Sequence, residues 1–157
     1  MSLEAKLKEI SLKKKKNYSK KDWDKERALW IKQVNELYCQ IEKWLKIYID
    51  KNYISLHFHK INLFEESMGE YDIDVLETDM GELLIVFRPV GRNIIGADGR
   101  IDVYPSGHTS DKKMLILIED ELKGFYWELW ETSHKKDAKI FDCDALEKML
   151  EDWLKYY

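Results

Sequence analysis

Arginine is scarce in this chain and concentrated in one stretch. Of 26 basic residues only four are arginines, and three of these are Arg88, Arg92 and Arg100. The planar guanidinium group binds carboxylates and phosphates through paired hydrogen bonds, which a lysine ammonium cannot do. The stretch therefore predicts either internal ion pairs or an anion- or nucleotide-binding loop. Gly91 and Gly96 are expected to supply left-handed turn conformations there.

A second group of residues has the chemistry of a metal-dependent phosphodiesterase or nuclease. Asp98, Asp102 and Glu121 could hold magnesium, while Lys123 could steady the attacking water. The acidic run around Glu121 is followed by Gly124, which is typical of a solvated hairpin turn and not of a rigid site. The nuclease is therefore an alternative to the main prediction, and no cofactor is expected.

Two histidines at alternate positions of a predicted strand could share one metal ion. His57 and His59 would project from the same strand face. A third ligand would have to come from a distant part of the chain, and the candidates are His108, His134, Glu77 and Asp74. A solvated strand face explains the pair without a metal, so no metal site is predicted.

The run of residues 125–130 carries aromatic side chains on both faces of a predicted strand. One face can fill the core, while Tyr126 and Trp130 project from the other, beside Tyr104. Such a surface, if uncovered, is typical of a partner interface. The alternative is that the N-terminal segment or the C-terminal helix covers it.

Two predicted helices must position these residues. Between Asp22 and Asp50 no glycine or proline interrupts the chain, and apolar residues recur at spacings of three and four, as expected for a helix lying on a sheet. The stripe consists of Trp30, Val34, Leu37, Ile41, Trp44 and Tyr48. A second helix is predicted from about Asp144, where Asp144 and Glu147 have the spacing of a capping box.

Between the helices the apolar period changes to two, which predicts strands. A change of parity near His59 and Lys60 predicts a β-bulge in the first strand. A hairpin closed at residues 79–81 would place Asp72 opposite Arg88. The order of elements predicts an α+β fold, with an antiparallel sheet of about six strands packed against the long N-terminal helix and the C-terminal helix.

Length and composition indicate one globular domain. The 157 residues, 45% of them hydrophobic, can build a single core, which we expect over residues 22–157. Residues 1–21 form a basic amphipathic segment. Its run from Lys13 to Lys21 is either a tether for an acidic partner or a solvated linker. The net charge of −4 gives no general case for nucleic acid as a partner.

Cysteine usage and hydropathy predict a soluble, cytoplasmic protein. Cys39 and Cys143 are the only cysteines and do not have metal-binding or redox spacing. The N-terminus is charged and lacks the apolar run of a signal peptide. Other apolar runs are too short to span a bilayer, so no membrane contact is expected.

The main prediction is a non-enzymatic protein-binding or adaptor module. Its binding surface would be the sheet face around Tyr104, Tyr126 and Trp130, rimmed by Arg92 and Arg100. This surface would meet either a protein partner or a second copy of the chain, forming a homodimer.

Overall fold

The computed structural model describes residues 2–8, 20–92, 98–131 and 137–157, with only the backbone described for Lys20 and Lys21. Residues 3–8 are helical. The predicted lysine run from Lys13, the loop residue Gly96 and the candidate ligand His134 lie outside the described residues.

The long helix forms where the apolar stripe predicts it. This helix, α1, spans Lys20–Asp50. The stripe is buried up to position 41, and two neighbours widen it, so that the buried residues are Trp30, Val34, Leu37, Tyr38, Ile41 and Leu45. Trp44 and Tyr48, at the end of the predicted stripe, are only partly buried. The helix therefore presents one broad apolar side, as expected for a helix that lies across a sheet.

Seven strands follow α1 and form one antiparallel sheet. Each strand pairs with its neighbour in sequence, so the order across the sheet is β1 to β7. The α+β prediction is confirmed, with one strand more than the expected six or so. The strands are β1 Ser55–Glu65, β2 Gly69–Asp79, β3 Leu84–Gly91, β4 Arg100–Pro105, β5 Lys113–Asp120, β6 Gly124–Trp130 and β7 Ala138–Ile140.

The C-terminal helix, α2, spans Cys143–Trp153 and is followed by a 3-10 turn, Leu154–Tyr156. Its buried residues, including Leu146 and Trp153, join those of α1 in one apolar cluster against the sheet. Both helices therefore lie on the same side of the sheet, called here the inner face. None of the described helices combines the length and apolar character needed to cross a membrane.

The predicted capping box at Asp144 and Glu147 is wrong, because α2 begins earlier. Asp142 is the N-cap residue, and its carboxylate accepts a hydrogen bond from the amide of Ala145 at 2.8 Å. The preceding Phe141 is buried in the core. Because Phe141 is fixed in the core, the chain is still extended at Asp142, and the helix begins at the next residue.

Replacing Asp142 by alanine is expected to lower the free energy of unfolding by about 0.5 to 2 kcal/mol, because an amide in the first turn of α2 loses its acceptor. Urea unfolding followed by circular dichroism measures this loss. Asp144→Ala is the matched control, since it removes a carboxylate of the same turn that is not the cap. Equal losses in the two variants would contradict the assignment of Asp142 as the cap.

The hairpin of β1 and β2 extends beyond the rest of the sheet and lies against α1. Only the end of β2, Leu76 to Asp79, pairs with β3, whereas all of β2 pairs with β1. Near the hairpin turn, Arg27 of α1 donates to the carbonyl of Met68 at 2.8 Å. Trp30 Nε1 donates to the hydroxyl of Tyr71 at 3.1 Å. The N-terminal half of α1 is therefore fixed by this hairpin.

The predicted β-bulge at His59 and Lys60 is not present. The ladder between β1 and β2 runs in a single register from Ser55 opposite Asp79 to Glu65 opposite Gly69. In β1 the core-facing side chains do change from even-numbered to odd-numbered positions. The paired strand β2 makes the matching change directly opposite, between Ile73 and Leu76. Because both strands change together, no extra residue is inserted.

The predicted pairing of Asp72 with Arg88 is also wrong. The loop between β2 and β3 has four residues, because Leu83 turns into the core and its carbonyl accepts from the amide of Met80 at 2.8 Å. This shifts the expected register by three positions. Asp72 lies opposite Asn62, and Arg88 lies opposite Asp102.

Candidate partner-binding face

The side of the sheet that faces away from α1 and α2, called here the outer face, carries most of the predicted site residues. In β3 to β6, the residues of the inner cluster alternate with a second set, because successive side chains of a strand point to opposite sides. This second set comprises Val86 and Arg88 of β3, Arg100, Asp102 and Tyr104 of β4, Met114, Ile116 and Ile118 of β5, and Tyr126, Glu128 and Trp130 of β6.

The centre of the outer face is apolar. Met114 lies directly opposite Trp130 on β6, and on its other side it is opposite Asp102 on β4. Tyr104 lies two residues further along β4 and opposite Val86. Tyr104, Met114 and Trp130 are all half-buried. With the buried Val86 of β3, they place apolar and aromatic side chains on four neighbouring strands, β3 to β6.

No helix that the structure describes packs on the outer face. Both α1 and α2 contribute their buried residues to the inner cluster. In the helical residues 3–8, Leu3 and Leu7 are 73% and 56% exposed, so this segment does not bury its apolar side either. The sequence offered two elements that could pack on this face, the N-terminal segment and the C-terminal helix. The C-terminal helix lies on the other side of the sheet. The apolar side chains of the described N-terminal segment, Leu3 and Leu7, stay largely exposed.

Two cations pair with one carboxylate on the outer face, and a third basic residue lies on the neighbouring strand. Asp102 accepts from Arg100 Nε at 2.7 Å and lies 3.4 Å from Lys112 Nζ. Arg88 lies opposite Asp102 in the register of β3 and β4. The Arg88 side chain is exposed, and it has no ion-pair partner among the described residues. The cluster therefore has a local excess of positive charge and one free guanidinium group.

Arg92 does not belong to this cluster, although the sequence analysis grouped it with Arg88 and Arg100. Its guanidinium donates to Glu26 of α1 at 2.8 Å and lies 3.6 Å from Asp98. Its backbone amide donates to Glu65 Oε1 at 3.0 Å. Arg92 thus ties the end of β3 to α1 and to the β1–β2 hairpin, which is the internal ion pairing considered from the sequence. The arrangement gives no support to an anion site formed by all three arginines.

His57 and His59 each face a carboxylate of the neighbouring strand. His57 Nε2 lies 3.6 Å from Asp79, and His59 Nδ1 lies 3.2 Å from Glu77. No group of three or more His, Cys, Asp or Glu side chains placed to hold a metal ion occurs in the described part of the chain. The two histidines are accounted for by separate cross-strand pairs.

Of the four residues of the nuclease alternative, two are engaged in other contacts and two are exposed in a turn. Asp98 accepts from the backbone amide of Glu119 at 2.8 Å, and Asp102 is held in the cation cluster. Glu121 and Lys123 are exposed in the turn between β5 and β6. The carboxylate of Asp120 shapes that turn by accepting from the amides of residues 122 and 123. This geometry gives no support to a metal-assisted hydrolase.

Sequence reasoning missed part of the outer face, namely Val86, Met114, Ile116 and Ile118. A signal for them exists, because Met114 to Ile118 is apolar on both strand parities, which is typical of a strand with two apolar faces. Lys112 was also missed. It precedes β5, and only the register with β4 brings it next to Asp102.

Comparison of the chain with models of protein families, with curated proteins and with solved structures found no match. Inference about function therefore starts from the geometry of the residues themselves.

Proposed function

We propose that this protein is a non-catalytic protein-binding module, and that its outer sheet face binds a different protein. The observation that carries the proposal is the location of both helices on one side of a sheet whose other side is also apolar. A sheet face with a half-buried strip of Tyr104, Met114 and Trp130 has the composition found at the centre of protein interfaces.

The charges on the face favour an acidic partner. Arg88 is exposed beside the positive cluster around Asp102, and no described residue forms an ion pair with it. A carboxylate on the partner would complete a charge-assisted hydrogen bond with the Arg88 guanidinium while apolar groups of the partner cover the strip. The partner surface is therefore expected to combine apolar side chains with at least one Asp or Glu.

The proposal places the protein in the cytoplasm, as predicted from the sequence. Cys39 is exposed, Cys143 is half-buried, and both are free thiols. Free thiols are usual in a reducing compartment.

The test is site-specific photo-crosslinking in cells that produce the protein. A photoreactive phenylalanine analogue replaces Tyr104 on the outer face, and in a control variant it replaces Tyr53, which is exposed outside that face. We expect a discrete crosslinked product from position 104 and not from position 53. Equal crosslinking at the two positions would contradict the proposal. A product of twice the chain mass would reassign the face to self-association.

Charge reversal at Arg88 tests the role of its guanidinium group, with the crosslink at position 104 as the readout. Arg88→Glu is expected to weaken the crosslink at position 104 by about tenfold or more, because a buried charge left without its partner costs about 2 kcal/mol or more. Lys43→Glu on the solvated side of α1 is the matched control, with the same change of charge. Similar crosslinking in both variants would show that the guanidinium group does not contact the partner.

A further inference from the structure

The C-terminal ends of the two helices border an apolar cleft, called here the helix-end cleft. α1 and α2 each line it with residues of their last two turns, and the chain after each helix and the loop between β2 and β3 complete the lining. The apolar part of the lining consists of Leu45, Tyr48, Ile54, Met80, Leu150 and Leu154. The cleft encloses about 200 Å³, somewhat more than a cavity of about 150 Å³ that holds one benzene molecule. It opens to solvent, because Leu154 is 47% exposed.

Two carboxylates, those of Glu147 and Glu151, complete the wall that α2 contributes. They are four positions apart and therefore share one helix face, where two like charges destabilise a helix. Glu147 accepts from the hydroxyl of Tyr48 at 3.3 Å and from the thiol of Cys143 at 3.6 Å, and both donors are neutral. Neither carboxylate forms an ion pair with a described residue, and Lys148 between them in sequence is exposed. The negative charge at the cleft is therefore not offset.

The helix ends add negative potential to the same cleft. The C-terminal end of a helix carries a partial negative charge, which basic side chains in the last turn commonly balance. Neither α1 nor α2 has a basic residue in its last turn. Lys46 of α1 and Lys155 after α2 instead pair with Asp50 at 3.5 Å and with Asp111 at 3.2 Å. Both helices thus direct their negative ends towards an apolar cleft that lacks a paired cation.

We propose that the helix-end cleft binds a small amine in its ammonium form, carried on an apolar body about the size of a benzene ring. The ammonium group lies between Glu147 and Glu151 and donates charge-assisted hydrogen bonds to them. The ring of Tyr48 is placed to add a cation–π contact. The apolar body lies against the leucine and isoleucine side chains of the lining.

This site is separate from the outer face. Leu45, Ile54 and Leu150 belong to the inner apolar cluster, so the cleft lies on the side of the sheet that carries the helices. The proposal does not depend on the protein-binding function proposed above, and its tests do not involve that surface.

Calorimetric titration of the full chain tests the proposal with three compounds that share a phenyl ring. These are phenethylammonium, the neutral phenethyl alcohol and the anionic hydrocinnamate, all at neutral pH and low salt. We expect phenethylammonium to bind with a dissociation constant of about 1 mM or lower, which is within reach of a ligand of this size. It should bind about tenfold more tightly than the alcohol, and hydrocinnamate should not bind. Absence of binding, or equal affinity for the ammonium and the alcohol, would overturn the proposal.

Removal of one carboxylate tests the source of the selectivity. Glu147→Gln keeps the size of the side chain and an acceptor for Tyr48, and it is expected to weaken phenethylammonium binding by about tenfold while binding of the alcohol stays the same. Asp144→Asn is the matched control, because it removes the same charge from an exposed position of α2 that does not line the cleft. Equal weakening in both variants would show that only the overall charge attracts the amine, which contradicts a site at Glu147.

Methyl NMR spectra of the wild type locate the bound amine. Phenethylammonium should shift the methyl signals of Leu45, Ile54, Leu150 and Leu154, and shifts confined to other parts of the protein would refute the assignment to this cleft. A lysine side chain of another protein offers the same ammonium group on an apolar stem. The methylamide of N-acetyl-lysine is therefore titrated as well. If it binds more tightly than phenethylammonium, the occupant is a protein lysine and the proposal of a free amine is wrong.

Discussion

Replacing Trp30 by alanine is expected to lower the free energy of unfolding by about 3 to 5 kcal/mol, which is the usual cost of truncating a fully buried tryptophan. Trp30 is 0% exposed. Its indole donates to Tyr71 of the β1–β2 hairpin at 3.1 Å, and its ring centroid lies 6.0 Å from that of Trp127 on β6. One side chain of α1 thus contacts both ends of the sheet. Its loss leaves a large cavity and removes the donor to the Tyr71 hydroxyl, which keeps its own hydrogen bond to Glu65.

Trp44→Ala is the matched control for this prediction. Trp44 belongs to the same helix and has an aromatic neighbour, Phe141, at 5.7 Å between ring centroids, but it is only partly buried. Its truncation removes less buried area and leaves no enclosed cavity, so the loss should be clearly smaller. Urea unfolding followed by far-UV circular dichroism compares the two variants. If Trp44→Ala costs as much as Trp30→Ala, Trp30 does not have the central role that its contacts indicate.

The parts of the fold that depend on local sequence could be predicted. The apolar stripe of α1 has the helical period over its whole length, so the helix and most of its buried residues follow from spacing alone. Alternation at a period of two likewise predicts the strands and the α+β class. At the end of the stripe, the structure buries Leu45 and leaves Trp44 partly exposed. That choice depends on how the sheet is placed beneath the helix.

The parts that depend on tertiary contacts could not be predicted. The register of β2 and β3 follows from the burial of Leu83, which lengthens the loop and moves Arg88 away from Asp72. The cap of α2 is Asp142 because Phe141 is anchored in the core. Neither burial can be read from the spacing of residues in the chain, because nearby residues offer equally good loop and cap sequences.

The candidate site likewise has a part that local sequence predicts and a part that depends on tertiary contacts. Alternation along single strands correctly indicated that Tyr126 and Trp130 share one side of β6. Tyr104, expected beside them, lies on the same face, and the strand registers add Met114. The grouping of the arginines rested only on closeness in sequence. Arg92 follows the last residue of β3, and its guanidinium meets Glu26 of α1 instead of the outer face. Whether the outer face binds a partner is still a prediction.

Gly91, next to Arg92, does not supply the left-handed turn conformation that was expected of it. Gly91 is not among the glycines with a left-handed backbone, which are Gly69, Gly81, Gly107 and Gly124. A Cβ atom at Gly91 would instead lie 2.7 Å from the carboxylate of Glu65. At this position, the absence of a side chain allows close approach of a neighbour and does not serve a turn conformation.

The same reasoning makes Gly99 the most sensitive glycine among those described, and Gly99→Ala is expected to cost about 3 kcal/mol, at the upper end of the range for overpacking. A Cβ atom there would lie 2.3 Å from Cζ3 of Trp30. The backbone cannot easily withdraw, because the carbonyl of Gly99 accepts from the amide of Leu117 at 2.9 Å, and the amide of Asp98 donates to the carbonyl of Leu117 at 3.0 Å. The indole is held by Tyr71, so neither side can move at low cost.

A double-mutant cycle separates this contact from any general effect of the substitution. In the Trp30→Ala background the clash is absent, and Gly99→Ala should then cost much less than in the wild type. The expected coupling energy is about 1 to 3 kcal/mol, within the range found for residues in direct contact. Equal costs of Gly99→Ala in the two backgrounds would show that the contact with Trp30 is not the cause. If the cycle shows the coupling, the start of β4 is positioned by the same tryptophan that contacts the β1–β2 hairpin and β6, so one residue of α1 holds three parts of the sheet.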